Sequence, residues 1–133
     1  MKRNLKLILF IFLPVLSLAQ APTPQDVLSK FGFTSHRIPG ETGTIDFFMH
    51  KRSAEPPTAV VIYLQGTDPD PLFSIEQEGK AYQTYRWFPG DYRYLDDNYA
   101  YVVIAKNGVP AIFEPDSERD VQQYQKFNSL DDR

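Results

Sequence analysis

The run "VVIYL", Val60 to Leu64, is apolar at every position. A strand with no polar face is normally covered on both sides, as in a parallel sheet flanked by helices. Tyr99 to Ala105 has the same character. Roughly 30 residues separate the two, enough for a crossover connection. Within that gap, Ser74-Ile75-Glu76-Gln77 fits a capping box and predicts the start of a short helix. Two such strands joined by a long crossover argue for an α/β architecture over a β-sandwich.

Upstream the signals are shorter. Gln25 to Lys30 predicts one helical turn before Gly32. Phe33 to Ile38 alternates in the manner of a half-exposed strand. Pro39 to Gly43 is a turn cluster, and Thr44 to Lys51 places Ile45, Phe47 and Met49 on one face. These two strands read as an antiparallel hairpin. Downstream, Val121, Tyr124 and Phe127 recur at helical spacing, and Asn128 to Asp132 looks like a second helix start with Ser129 as N-cap.

The first 19 residues have a different pattern. Lys2, Arg3 and Lys6 precede an apolar run, Leu7 to Leu18, and Ser17-Leu18-Ala19 supplies small residues for a cut. That is a secretory signal peptide, cleaved near Ala19, with a run too short to span a bilayer. The chain is therefore read as exported, periplasmic or secreted. Residues 20–32 read as a leader or tether, and 33–133 as the domain. Three of the 14 basic residues lie in the signal and none of the 17 acidic ones, which leaves 11 against 17. An acidic surface repels phosphate backbones, so nucleic acid is not an expected partner. The absence of cysteine excludes a thiol nucleophile and thiolate-held metals.

Val60 to Leu64 ends in Gln65-Gly66-Thr67. Open α/β sheets bind ligands where their strands end. Backbone N–H groups there can stabilise an oxyanion. The run "VVIYLQGTDPDPLF", with "YAYVVIAKNGVP" and "NSLDDR" after it, resembles the N-terminal part of secreted α/β-hydrolases of the esterase, lipase and peptidase-like type. The resemblance covers about residues 33 to 133. It implies a partial α/β-hydrolase sheet, an N-terminal antiparallel hairpin followed by parallel strands with helical crossovers. It also implies an oxyanion loop with Gly66 and Thr67 as backbone donors and Gln65 as support. The substrate class would be a small-molecule ester or amide, with no cofactor and no metal.

The departure from that family is as informative. Gly-x-Ser-x-Gly, the elbow that presents the nucleophile, is absent. Ser29, Ser35, Ser53, Ser74, Ser117 and Ser129 all lack the flanking glycines. His36 and His50 precede the place of a triad histidine. The expectation is the front part of a longer hydrolase, cut before its nucleophile strand and inactive alone. Val60 to Leu64 would then lose a neighbouring strand and expose unpaired backbone and an apolar face. A partly molten, poorly soluble chain follows from that.

Other clusters carry less. Asp68-Pro69-Asp70 lacks the ligand spacing of a calcium loop. Asp96-Asp97 reads as a turn. The segment Tyr82 to Tyr94 concentrates Tyr82, Tyr85, Trp87, Tyr92 and Tyr94. Amphipathic rings of this kind suit sugar or peptide binding. The alternative function is accordingly a small secreted module that binds a ligand through Tyr82–Tyr94.

Overall fold

The computed structural model describes residues 20–41, 43–66, 69–115 and 117. The signal segment, Thr67 and both C-terminal helical signals lie outside those residues. The described chain runs α1 (Pro24–Phe31), β1 (Thr34–Gly40), β2 (Gly43–Lys51), β3 (Ala59–Tyr63), β4 (Phe73–Glu78), β5 (Ala81–Arg86), a 3-10 turn (Gly90–Tyr94), β6 (Tyr99–Ile104) and β7 (Ile112–Phe113).

Helix α1 is set by its ends. The Thr23 hydroxyl accepts from the Asp26 N–H at 3.2 Å, and the Asp26 carboxylate accepts from the Thr23 N–H at 2.9 Å. Pro24 follows the cap, where a missing N–H costs nothing. Gly32 closes the helix at φ +75°, a left-handed turn that suits glycine. Val27 and Leu28 are buried, so the segment read as a tether is part of the fold.

Four strands form one sheet in the order β1-β2-β6-β3. The β1–β2 hairpin is antiparallel, β2 pairs antiparallel with β6, and β3 runs parallel to β6. Register places Phe48 opposite Val103 and His50 opposite Tyr101. Phe48, Tyr101 and Val103 are buried and form one wall of the core. Three strands form a second sheet in the order β5-β4-β7. Phe73, Ser74 and Ile75 in β4 are buried in succession, so this strand is covered on both faces. Leu72, Phe33, Phe88 and Tyr92 fill the space between the layers.

This arrangement overturns the α/β reading. The connection from β3 to β6 holds a β-hairpin and a 3-10 turn in place of a helical crossover. The chain is mainly β-strand in mixed sheets, with a single α-helix among the described residues. The physical reason lies at Gly79-Lys80. Glu78 pairs with Ala81 across this two-residue loop, and Gly79 adopts φ +64°. A Gly-x turn of this kind closes a hairpin and sets its register. Ser74 then bonds within its strand, its hydroxyl donating to the Glu76 carboxylate at 3.1 Å, and caps no helix.

A second correction concerns Val60 to Leu64. Among the described residues only β6 pairs with β3, which makes it an edge strand there. Val60 is 53% exposed, Ile62 57% and Leu64 72%. Burial on both faces belongs instead to β4, which follows the loop.

Candidate functional site

Parallel pairing of β3 with β6 brings their C-terminal ends to one edge, with Tyr63 opposite Val103. The chain leaving β3 therefore lies beside the chain leaving β6. A hollow of about 120 Å³ opens there, lined by Tyr63, Gln65, Gly66, Asp70, Trp87 and Lys106. The Gln65 amide donates to the Asp70 carbonyl at 3.3 Å and to the Pro71 carbonyl at 3.2 Å. It ties the two arms of the loop together. Apart from its chain neighbours, no atom of the described residues lies within 4 Å of where a Gly66 side chain would start, which leaves room for close approach to this backbone.

Of the residues singled out in the sequence, Gln65 and Gly66 meet in this hollow. Thr67 and Asp68 lie outside the described residues. Asp70 lines the hollow, and no group of three or more metal-ligating side chains occurs among the described residues. His36 stands on β1, bonded to the Thr34 hydroxyl at 2.8 Å and stacked on Phe47. His50 is half-buried, with Nδ1 against the Gly32 carbonyl at 2.7 Å and its ring against Phe33 and Tyr92. Neither histidine lines the hollow. Ser74 is fully buried and held by Trp87 and Glu76. No serine or histidine stands among the residues that line the hollow.

Of the other lining residues, Lys106 was not singled out in the sequence, and Trp87 was named only within the aromatic segment. Lys106 follows Ala105 at the end of β6. Continuing the observed parallel β3–β6 register puts it level with Gly66, so the spacing of the two apolar strands carried that signal. Trp87 follows β5, and only the β4–β5 hairpin, which the capping-box match concealed, brings it here.

Two tyrosines at the core side have raised pKa values because burial disfavours phenolate, Tyr92 and Tyr101. Tyr92 stays a neutral donor and bonds the Phe31 carbonyl at 3.2 Å, which ties the 3-10 turn to α1. No family model, curated protein or solved structure matches the chain.

Proposed function

We propose that this chain supplies the oxyanion loop of an exported ester or amide hydrolase and is catalytically silent by itself. The observation that carries the reading is the open Gly66 backbone in a polar hollow beside an apolar β3 edge that no described strand pairs. A strand with that exposure suits a neighbour that presents the nucleophile. Gly66 is the backbone donor candidate, with Thr67 beyond it and Gln65 as support.

The test has two arms. The DNA beyond the Arg133 codon is read in all frames for Gly-x-Ser-x-Gly, and the purified chain from Gln20 onward is assayed on p-nitrophenyl esters. The reading expects an elbow downstream and no turnover by the chain alone. In the joined protein, Gly66→Pro removes an N–H and lowers kcat by roughly 10²–10³, the scale for losing one oxyanion donor. No elbow in any frame, or turnover by the isolated chain that a single serine substitution abolishes, overturns it.

A second reading has its own support. Trp87 and Tyr85, both in the aromatic segment Tyr82–Tyr94, are substantially exposed beside a separate hollow, which favours a ligand-binding module.

A further inference from the structure

Arg86 is a half-buried cation with no carboxylate paired to it among the described residues. It ends β5 on the face that carries Thr84, opposite Tyr85. Its guanidinium lies over the rings of Phe31 and Tyr92, at 5.9 and 5.8 Å from their centroids. Its Nε is buried and, among the described residues, has no hydrogen-bond partner. A buried donor in that state is uncommon in native proteins, and a bound ion is one thing that answers it.

A second cation shares the place. A Cβ at Gly90 would stand within 3.0 Å of the Nη2 atoms of both Arg86 and Arg93. The two nitrogens are therefore no more than about 6 Å apart, and like charges at that separation repel each other until an anion joins them. Arg93 is held there by its own backbone, since its Nε donates to the Gly90 carbonyl at 3.2 Å. Burial raises the Tyr92 pKa, and the charges of both guanidiniums act against that rise, so both lie near its hydroxyl. Lys30 adds a third positive charge on this side of β5. Its Nζ donates to the Thr84 hydroxyl at 2.6 Å and stands 5.6 Å from the Phe31 ring centroid. The neighbouring acids are placed elsewhere. Asp91 lines a hollow with Val61, Tyr63 and Tyr101 on the β3 side, and Asp97 pairs with Arg52.

We infer that Arg86 and Arg93 together bind one phosphate group, free or at the end of a small monoester, beside Gly90. Three features select that class. A dianion neutralises two guanidiniums, whereas a single carboxylate leaves one charge over. Forked guanidinium donors match the oxygens of a tetrahedral phosphate. Arg86, already held over two ring faces, loses little freedom when the ligand arrives. The chain as a whole carries 14 basic residues against 17 acidic ones, which repels an extended polyanion and leaves a single phosphate as the fit. The site depends on neither reading of the Gly66 hollow or of Trp87.

Isothermal titration calorimetry tests it on the chain from Gln20 onward, with all residues to Arg133 retained. Inorganic phosphate and glycerol 2-phosphate are titrated separately at low salt and about pH 8, above the second phosphate pKa of about 6. Saturable binding with a Kd of about 1 mM is expected, within the ceiling for a ligand of about five non-hydrogen atoms. Binding of both ligands assigns the site to the phosphate group of a monoester, and binding of inorganic phosphate alone assigns it to the free ion. Arg93→Gln changes an exposed side chain and weakens binding about tenfold, the scale of one charge-assisted hydrogen bond. Arg37→Gln makes the same change of charge on the β1–β2 hairpin and leaves affinity within about twofold of wild type. Gly90→Ala alters no charge but displaces the Arg86 tip, and weakens binding about fivefold. Circular dichroism confirms that each variant is folded. No saturable binding of either ligand, an equal loss in Arg37→Gln and Arg93→Gln, or unchanged affinity in Gly90→Ala overturns the inference. Ester hydrolysis by the joined protein bears on the Gly66 hollow alone.

Discussion

The stability of this protein rests on Phe73 far more than on the apolar strand before it, and paired substitutions measure the difference. Phe73 is 0% exposed. Its ring meets Phe31 at 5.7 Å, Phe33 at 5.7 Å, Phe48 at 5.8 Å and Phe88 at 5.3 Å between centroids. It thus joins α1, both sheets and the segment after β5. Truncation to alanine removes a buried aromatic and leaves a cavity, at a cost of about 3–5 kcal/mol. A domain of roughly 100 residues has about 5–15 kcal/mol in total. Phe73→Ala therefore comes close to unfolding the chain, and Phe73→Leu is the more measurable change. Its loss of shape complementarity costs about 1–1.5 kcal/mol. With a urea m-value near 1.3 kcal/mol/M, the midpoint falls by about 1 M. Ile62 is 57% exposed on the edge strand. Ile62→Thr stays within about 0.5 kcal/mol of wild type, a shift below about 0.4 M. Equilibrium urea unfolding followed by far-ultraviolet circular dichroism reads both. An Ile62→Thr shift as large as that of Phe73→Leu refutes the reasoning, because it means that the outer face of β3 is covered in solution.

Three further outcomes follow from the same structure. Ile62→Lys places a charge on the open edge and reduces binding of an apolar dye and aggregation on concentration, measured by dye fluorescence and light scattering, with the midpoint barely changed. Asp46 is held below its ordinary 3.8 by the hydrogen bond from the Arg37 guanidinium. A lowered folded pKa gives stability that is fully present above about 3.8 and lost as pH falls through the folded value. Asp46→Asn therefore flattens the acid limb of the stability curve while costing under about 1 kcal/mol at neutral pH, since the pair is largely solvent-exposed. Thr23→Ala breaks the capping box that lowers the Asp26 pKa, and speeds amide exchange in α1 at neutral pH more than below pH 3, where Asp26 is protonated and the box already weakened.

Local patterns in the sequence reported the structure well where one element decided its own conformation. The alternation of Phe33 to Ile38 and Thr44 to Lys51 carried the β1–β2 hairpin. The apolar runs at Val60 and Tyr99 carried two strands and their parallel pairing. What failed was the inference from apolarity to burial. Periodicity says that Val60, Ile62 and Leu64 share a face, and nothing in it says that another element covers that face. The β4–β5 hairpin was concealed by a competing local signal, because Ser74-Ile75-Glu76-Gln77 satisfies a helix cap and a strand equally. Gly79 was the arbiter, and its turn outweighs the capping match. The Gly66 hollow was half legible. Gln65 and Gly66 follow from the end of β3, whereas Trp87 arrives through the hairpin that the sequence disguised.

The parallel pairing of β3 also fixes an order of events. Val61 pairs with Tyr101, 40 positions later in the chain, and the β4–β5 hairpin lies wholly inside that interval. Closing such a loop is slow relative to forming the β1–β2 hairpin, whose strands are adjacent in sequence. β3 is therefore the last strand to join its sheet during folding and the first to leave it. It can detach without breaking the β1-β2-β6 ladder or the second sheet, because among the described residues it is hydrogen-bonded along one side only. Amide protons of Val60 to Tyr63 exchange through this local opening, well below the free energy of global unfolding, while those of Phe73 to Ile75 exchange only with the whole.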